Sequence, residues 1–253
     1  MLWYTDKDNN SLYEISIGSE NGSVEANTNG SGMFAYLDNV STLDLSGLDT
    51  SNMTNMTYMF YKSTSLTNID LSGFDTSKVV NMYGMFLGCN NLKSIDVSNF
   101  NTKKVTTMAY MFRDCNSLEK LNLSNFDTSN VTRMDSMFLY DGSLTNIDLS
   151  NFNTSKVTNI GDMFEGCGQL TELDLSSFDT SNVKIMYYMF NRDKGLKTIY
   201  VSDKWNISNV TKSAGMFANC TSLTGTVPFD STKTDITMAN YTNGYLTYKK
   251  NTN

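Results

Sequence analysis

Apolar residues return along this chain at a fixed step. A Met-Phe pair stands at Met33-Phe34, Met59-Phe60, Met85-Phe86, Met111-Phe112, Met137-Phe138, Met163-Phe164, Met189-Phe190 and Met216-Phe217, so the step is 26 residues six times and 27 once. A leucine column keeps the same step at Leu66, Leu92, Leu118, Leu144, Leu170, Leu196 and Leu223, with Val40 in the earliest equivalent place. A period of this size is the mark of stacked repeats. Within one unit, Ile69 and Leu71 alternate around Asp70, the pattern of a strand buried on one side. Val79, Met82 and Met85 then recur every three residues, which predicts a short helical or 3₁₀ turn on the opposite wall.

One such unit cannot cover its own apolar face, but neighbours stacked in register can cover each other. The run Leu66-Thr67-Asn68-Ile69-Asp70-Leu71 fits the L-x-x-L-x-L opening of a leucine-rich repeat. The fold class that follows is an α/β-type repeat solenoid. It is a leucine-rich-repeat stack with one parallel β-sheet and an outer wall of loops or short 3₁₀ turns. Residues 1–32 are expected to form an N-terminal cap, 33–223 the solenoid, and 224–253 a C-terminal cap. Pro228, the single proline, marks the exit from the stack. Before it, the seventh coil needs one inserted residue, and Trp205 takes the Phe place.

Polar columns run beside the apolar ones. Asp49, Asp75, Asp127 and Asp179 alternate with Asn101, Asn153 and Asn206 at one position. Asp and Asn share a short carbonyl acceptor but not a charge, so the exchange predicts an Asx-turn or cap bond to nearby backbone N–H groups. The four cysteines, Cys89, Cys115, Cys167 and Cys220, share one column with Leu37, Ser63, Asp141 and Asp193. No C-x-x-C pair exists, so no zinc site is expected, and buried free thiols are favoured over disulfides.

Composition narrows the function. Charged residues are only 18% and the net charge is -7, with 19 basic residues scattered and no basic run. Nucleic-acid binding needs a concentrated positive footprint and is not expected. The absence of histidine removes His-based acid–base, nucleophile and metal chemistry. Carboxylates repeat identically along the ladder and nothing singles out one pair, so no enzyme activity, catalytic residue, cofactor or metal is expected. No apolar run is long enough to span a membrane. Met1 and its neighbours lack the features of a signal peptide, so an exported protein would be represented here by a fragment without leader or anchor.

The binding face is expected on the strand side. Its outward ladder is Asp44, Asp70, Asp96, Asn122, Asp148, Asp174 and Tyr200, and the adjacent outward positions include Asn68 and Glu172. Thr42, Ser94, Lys120, Asn146 and Thr198 complete that second, variable column. Like charges about 5 Å apart repel, which requires hydration and bonds to hydroxyls such as Ser46 and Ser72, or a cation or basic partner. Calcium is the weaker option, because a flat ladder does not converge six to eight oxygens. Tyr58, Tyr83, Tyr110, Tyr187 and Tyr188, just before the Met-Phe pairs, form a second candidate surface or a carbohydrate platform.

The unit L-x-x-I-D-L-S-x-F-D-T-S-x-V-x-x-M-x-x-M-F-x-x-C resembles the repeat of the BspA-like leucine-rich-repeat surface proteins. It is most similar there to the 26-residue surface-repeat subclass of Gram-positive bacteria and mycoplasmas. Phe229-Asp230-Ser231 and Gly244-Tyr245-Leu246-Thr247 resemble the segments that close such arrays. The resemblance implies an extracellular place on a bacterial cell surface and an interaction with a host or environmental protein or glycan, as an adhesin for example. A monomer is expected. The alternative is a structural spacer or stalk that projects other domains from the wall.

Overall fold

The computed structural model describes residues 2–6, 11–18 and 22–250. Residues 1, 7–10, 19–21 and 251–253 of the expected caps lie outside them. The chain winds as a series of short coils in register, a leucine-rich-repeat solenoid with parallel strands and almost no helix. The eleven strands among the described residues are β1 (Leu2–Thr5), β2 (Tyr13–Ile17), β3 (Val24–Glu25), β4 (Val40–Asp44), β5 (Leu48–Asp49), β6 (Asn68–Asp70), β7 (Ser94–Ile95), β8 (Lys120–Leu121), β9 (Glu172–Asp174), β10 (Thr198–Val201) and β11 (Thr247–Tyr248).

The sheet is parallel as expected, but it is interrupted. β4 pairs β6, β7 pairs β8, and β9 pairs β10, each one repeat apart, as in Leu43 with Ile69 and Ile95 with Leu121. Asn146–Asp148 occupies the same place without forming a ladder, although Ile147 stays buried there. The strands are short for a local reason. The Asp70 carboxylate accepts the Ser72 amide at 2.9 Å, and this Asx-turn bends the chain away from the extended path after two or three residues.

The ends are built differently. β1 lies antiparallel on β2, which runs parallel to β4, so the first edge is covered by a reversed strand. β11 adds in parallel to β10 at the other end.

The outer wall consists of turns; the 3₁₀ alternative fails there. The single 3₁₀ helix among the described residues, Ile236–Met238, belongs to the C-terminal segment. In the wall, Met59 N–H donates back to Met56 and Ser63 N–H to Phe60, closing four-residue turns. The amides between them donate forward: Met56, Tyr58, Phe60 and Lys62 bond the carbonyls of Asn81, Tyr83, Met85 and Leu87 in the next coil. The third residue of each turn has positive φ, as type II turns require. Tyr58, Gly84, Tyr110, Ser136, Asp162, Tyr188 and Gly215 form one such column, and Lys62, Gly88, Asp114, Tyr140, Gly166, Arg192 and Asn219 the other. A β-turn bond also spans three residues, which is why the Val79, Met82, Met85 spacing imitated a 3₁₀ signal. A chain of parallel bridges, from Asn29 through Asn55, Asn81, Thr107, Arg133, Asn159 and Ile185 to Lys212, runs the length of this side.

The interior is a set of columns. Phe34, Phe60, Phe86, Phe112, Phe138, Phe164, Phe190 and Phe217 stack with centroids 5.3–6.1 Å apart and planes within 17° of parallel. Ile69, Ile95, Leu121, Ile147 and Leu173 all face inward and are buried. The stack closes on Tyr245, which meets Phe217 edge-on at 86°. Its hydroxyl donates to the Lys233 carbonyl at 3.0 Å and accepts the Asp230 amide at 2.8 Å. Trp205, in the Phe place of the deviating coil, is buried and donates its indole N–H to Ala239 at 3.1 Å.

Candidate interaction surfaces

The strand face places the outward ladder in line, and each Asp or Asn member is tied to its own turn. Asp44 accepts the Ser46 amide at 3.0 Å and its hydroxyl at 2.7 Å. Asp96 accepts from Ser98 at 3.0 Å, Asn122 from Ser124 at 3.1 Å, and Asp148 from Ser150 at 2.9 Å. These bonds hold the carboxyls of Asp44, Asp96 and Asp148 below the usual carboxylate range. At Asp148 they outweigh the repulsion from Asp174. The hydrogen bonds to the following serine thus offset the like-charge ladder, chiefly through the serine hydroxyl at Asp44 and Asp96, as expected, and through the serine amide at Asp148.

One end of the ladder is already engaged. Lys249, just past β11, forms an ion pair with Asp174 and lies 5.3 Å from the Tyr200 ring. Asp174 and Tyr200 are therefore half-covered by the chain's own C-terminal segment. Asn68, Asp96, Asn122, Asp148 and Glu172 are exposed, while Asp44 and Asp70 are intermediate. A shallow depression gathers Asn68, Asp70, Ser72, Asp96, Ser98 and Asn99. Among the described residues, no group of three or more Asp, Glu, Cys or His side chains converges as a metal ion would need.

The outer wall carries the aromatic surface. Tyr36, Tyr61, Tyr58, Tyr83 and Tyr110 form a continuous chain with centroids 5.0–5.2 Å apart, mostly tilted or edge-on. Arg113 lies over Tyr110 and Lys62 over Tyr61, each at 5.3 Å. Tyr187 and Tyr188 pair with each other edge-on, with centroids 6.1 Å apart. Tyr61 and Tyr36 were missed in the sequence because they do not sit in the column before the Met-Phe pair.

The second Asx column forms as expected: Asp75 accepts the Ser77 amide at 2.8 Å and Asn101 the Lys103 amide at 3.2 Å. The threonine between them does more than the sequence suggested. Thr50, Thr76, Thr102, Thr128, Thr154 and Thr180 are buried, and each hydroxyl reaches the neighbouring coil. The cysteines are free and buried. Each thiol donates to the carbonyl of a Phe one coil back: Cys89 to Phe60, Cys115 to Phe86, Cys167 to Phe138 and Cys220 to Phe190. Burial pushes the Cys89 thiol up to about 12. Asp141 and Asp193 occupy the same interior column. Asp141 accepts the Cys115 amide at 2.9 Å with one oxygen, its other oxygen has no partner, and neither oxygen of Asp193 has one. Burial drives both carboxyls well above the ordinary range.

No helix among the described residues is long and apolar enough to cross a membrane. The chain is similar over 88% of its length to a leucine-rich repeat protein from Bacteroides ovatus ATCC 8483, of which 80% is covered, at 15% identity and a TM-score of 0.32. No curated protein matches it. The profile described as "Mycoplasma protein of unknown function, DUF285" matches twice, over residues 28–141 and 111–230, and together these take in nearly the whole solenoid. The chain belongs to that family of repeat proteins, whose description states no activity.

Proposed function

We propose that this chain is a recognition module of a bacterial cell surface, of the 26-residue surface-repeat kind, that binds a host or environmental protein or glycan. One observation carries the reading. The interior columns repeat the same residues coil after coil, while the exposed positions Asn68, Ser94, Lys120, Asn146 and Glu172 change chemistry at every step. A rigid frame with a varied outer face is how repeat proteins acquire a ligand preference. The strand face is the contact surface in this reading, with Asp44, Asp70, Asp96, Asn122 and Asp148 supplying acceptors and Asn68 and Glu172 their neighbours. The adhesin role and the surface location are parts of the proposal.

The test is a binding screen against purified matrix proteins and glycans, run with the native chain and with a triple variant, Asp70→Lys, Asp96→Lys and Asp148→Lys. A partner bound by the native chain and lost by a folded variant supports the strand face. Equal affinity for both excludes it. Failure of every partner to bind, with a flanking domain found to carry the binding, favours the spacer role instead.

A further inference from the structure

The outer wall repeats a ring-over-glycine device. The ring of Tyr58 lies over Gly84 in the next coil, Tyr140 over Gly166, and Tyr188 over Gly215, so closely that a Cβ on any of these glycines would collide with the ring. Each glycine therefore floors a depression of ring size. Gly88 stands in the same left-handed column as Gly166, with φ of 79° against 77°. No ring covers it. The nearest side-chain atom is in the stem of Lys62, 3.2 Å from where a Cβ would stand. A slot of about 360 Å³ remains there, walled by Tyr58 and Tyr61 on one side and by Tyr110, Arg113 and Asp114 on the other.

The filled counterpart identifies what such a slot accommodates. Over Gly166, the Tyr140 hydroxyl donates to Glu165 at 3.3 Å and accepts from Arg192 at 3.2 Å. The occupant is a six-membered ring whose edge hydroxyl sits between a carboxylate and a guanidinium. Around Gly88, Lys62 stands where Tyr140 does and Leu87 and Asp114 where Glu165 and Arg192 do; a guanidinium and a carboxylate are again at hand, from Arg113 and Asp114. Arg113 and Asp114 pair at 3.1 Å and are each 32% exposed, so both retain capacity for a ligand.

We propose that the Gly88 slot binds a pyranose ring of a saccharide, with carboxylated or sulfated sugars favoured over neutral ones. The C–H face of a pyranose packs on Leu87 and the rim of the Tyr110 ring, and its hydroxyls exchange bonds with Arg113, which lies over that ring, with Asp114 and with the surrounding phenols. A bare aromatic ring would cover the same polar groups and return no bonds, which is costly. Lys62 and Arg113 against Asp114 leave the slot one positive charge in a chain of net -7, and this sets the preference for an anion. The inference rests on the reading of the chain as a recognition module, but it uses the outer wall and none of the strand-face residues.

The experiment is an NMR titration of the ¹⁵N-labelled chain with a glucuronate-containing disaccharide and, separately, with its neutral glucose counterpart. Saturating shifts are expected at the Leu87, Gly88 and Arg113 amides, tighter for the anionic sugar at low salt. Tyr110→Ala should weaken them about tenfold. Gly88→Asn should abolish them, since it fills the slot with the residue that Asn219 already presents at the equivalent position with φ of 64°. Unchanged melting temperatures establish that both variants fold. No shift with either sugar up to about 10 mM overturns the proposal, and so do shifts that survive Gly88→Asn or a slot that takes only a phenol such as p-cresol. The triple strand-face variant should bind the sugars as the native chain does. A silent slot in a chain that still captures a protein through its strand face removes this inference and leaves the recognition role standing.

Discussion

Thr76 and Asn101 are joined by two reciprocal hydrogen bonds: the Thr76 hydroxyl donates to the Asn101 carbonyl at 3.1 Å and accepts the Asn101 amide at 2.7 Å. One buried hydroxyl thus satisfies both backbone groups of a turn in the next coil. The same tie links Thr50 with Asp75, Thr102 with Asp127, Thr128 with Asn153, and Thr180 with Asn206. Where the apolar columns supply burial without direction, these ties fix the register of one coil on the next.

Replacing Thr102 by Val keeps the shape and removes both bonds. The Asp127 amide and carbonyl then lose a partner, at a cost of about 2 kcal/mol. Thr102→Ser keeps the hydroxyl and gives up only a methyl group, about 1 kcal/mol. Urea unfolding of the two variants checks the order. Equal losses would mean that the hydroxyl contributes nothing beyond packing.

Stability should depend on pH in two opposite ways. Asp141 and Asp193 have carboxyls raised above their unfolded values by burial. Their contribution is complete below about pH 4, the unfolded value, and is lost as pH rises through the folded one. Around Asp141 the charged and titratable neighbours are Asp114, Cys115 and Cys167; around Asp193 they are Glu165, Cys167 and Cys220. None of them is a cation, and at Asp141 burial outweighs the Cys115 amide bond that favours the ionised form. The surface carboxyls of Asp44, Asp75, Asp96, Asp127 and Asp148 are lowered instead, chiefly by their serine bonds, and lose their contribution as pH falls below about 4. Thermal melts should therefore peak in mildly acidic buffer. Restoring the column residue with Asp141→Cys and Asp193→Cys should flatten the alkaline side and raise stability at neutral pH by about 1–3 kcal/mol. An unaltered profile would mean that the two carboxyls do not govern it.

Gly166 is predicted to resist substitution for two separable reasons. Its φ of 77° disfavours any L side chain, and a Cβ would meet the Tyr140 ring. Gly166→Ala should cost about 2 kcal/mol or more, and in a Tyr140→Ala background only the backbone share, about 1 kcal/mol, should remain. A double-mutant cycle measures the difference, and additivity of the two changes would deny the contact.

The thiols are expected to be inert in the folded chain. Cys89, Cys115, Cys167 and Cys220 are buried, and burial is the leading cause that raises each of them. A disulfide-exchange reagent at mildly alkaline pH should label none rapidly in native protein and all of them in concentrated guanidinium. Rapid native labelling would point to coils that open locally.

Much of the frame is legible in the sequence because each coil states it again. Ile69 and Leu71 identify the inward strand positions, and the exchange of Asp75 for Asn101 identifies an acceptor whose charge is immaterial. What escaped was what needs the third dimension. Tyr58 and Lys62 adopt left-handed turns with no residue-level warning, although Gly84, Gly88, Gly166 and Gly215 in the same two columns were a signal that went unused. The Thr76 tie was hidden because an Asx-turn already accounted for its neighbour; the constancy of Thr between alternating Asp and Asn was the clue. The ring slot at Gly88 depends on what Tyr140 does over Gly166, a relation between coils that no single unit contains.

Tyr245 sets a limit on the whole molecule. Parallel rings form a series with no natural last member, and the free face of Phe217 would suit the first ring of another copy. Turned through 86° and anchored by its hydroxyl, Tyr245 offers an edge in place of that face. The series then terminates inside one polypeptide, and the route by which such molecules would polymerise head to tail into fibres is closed at this end.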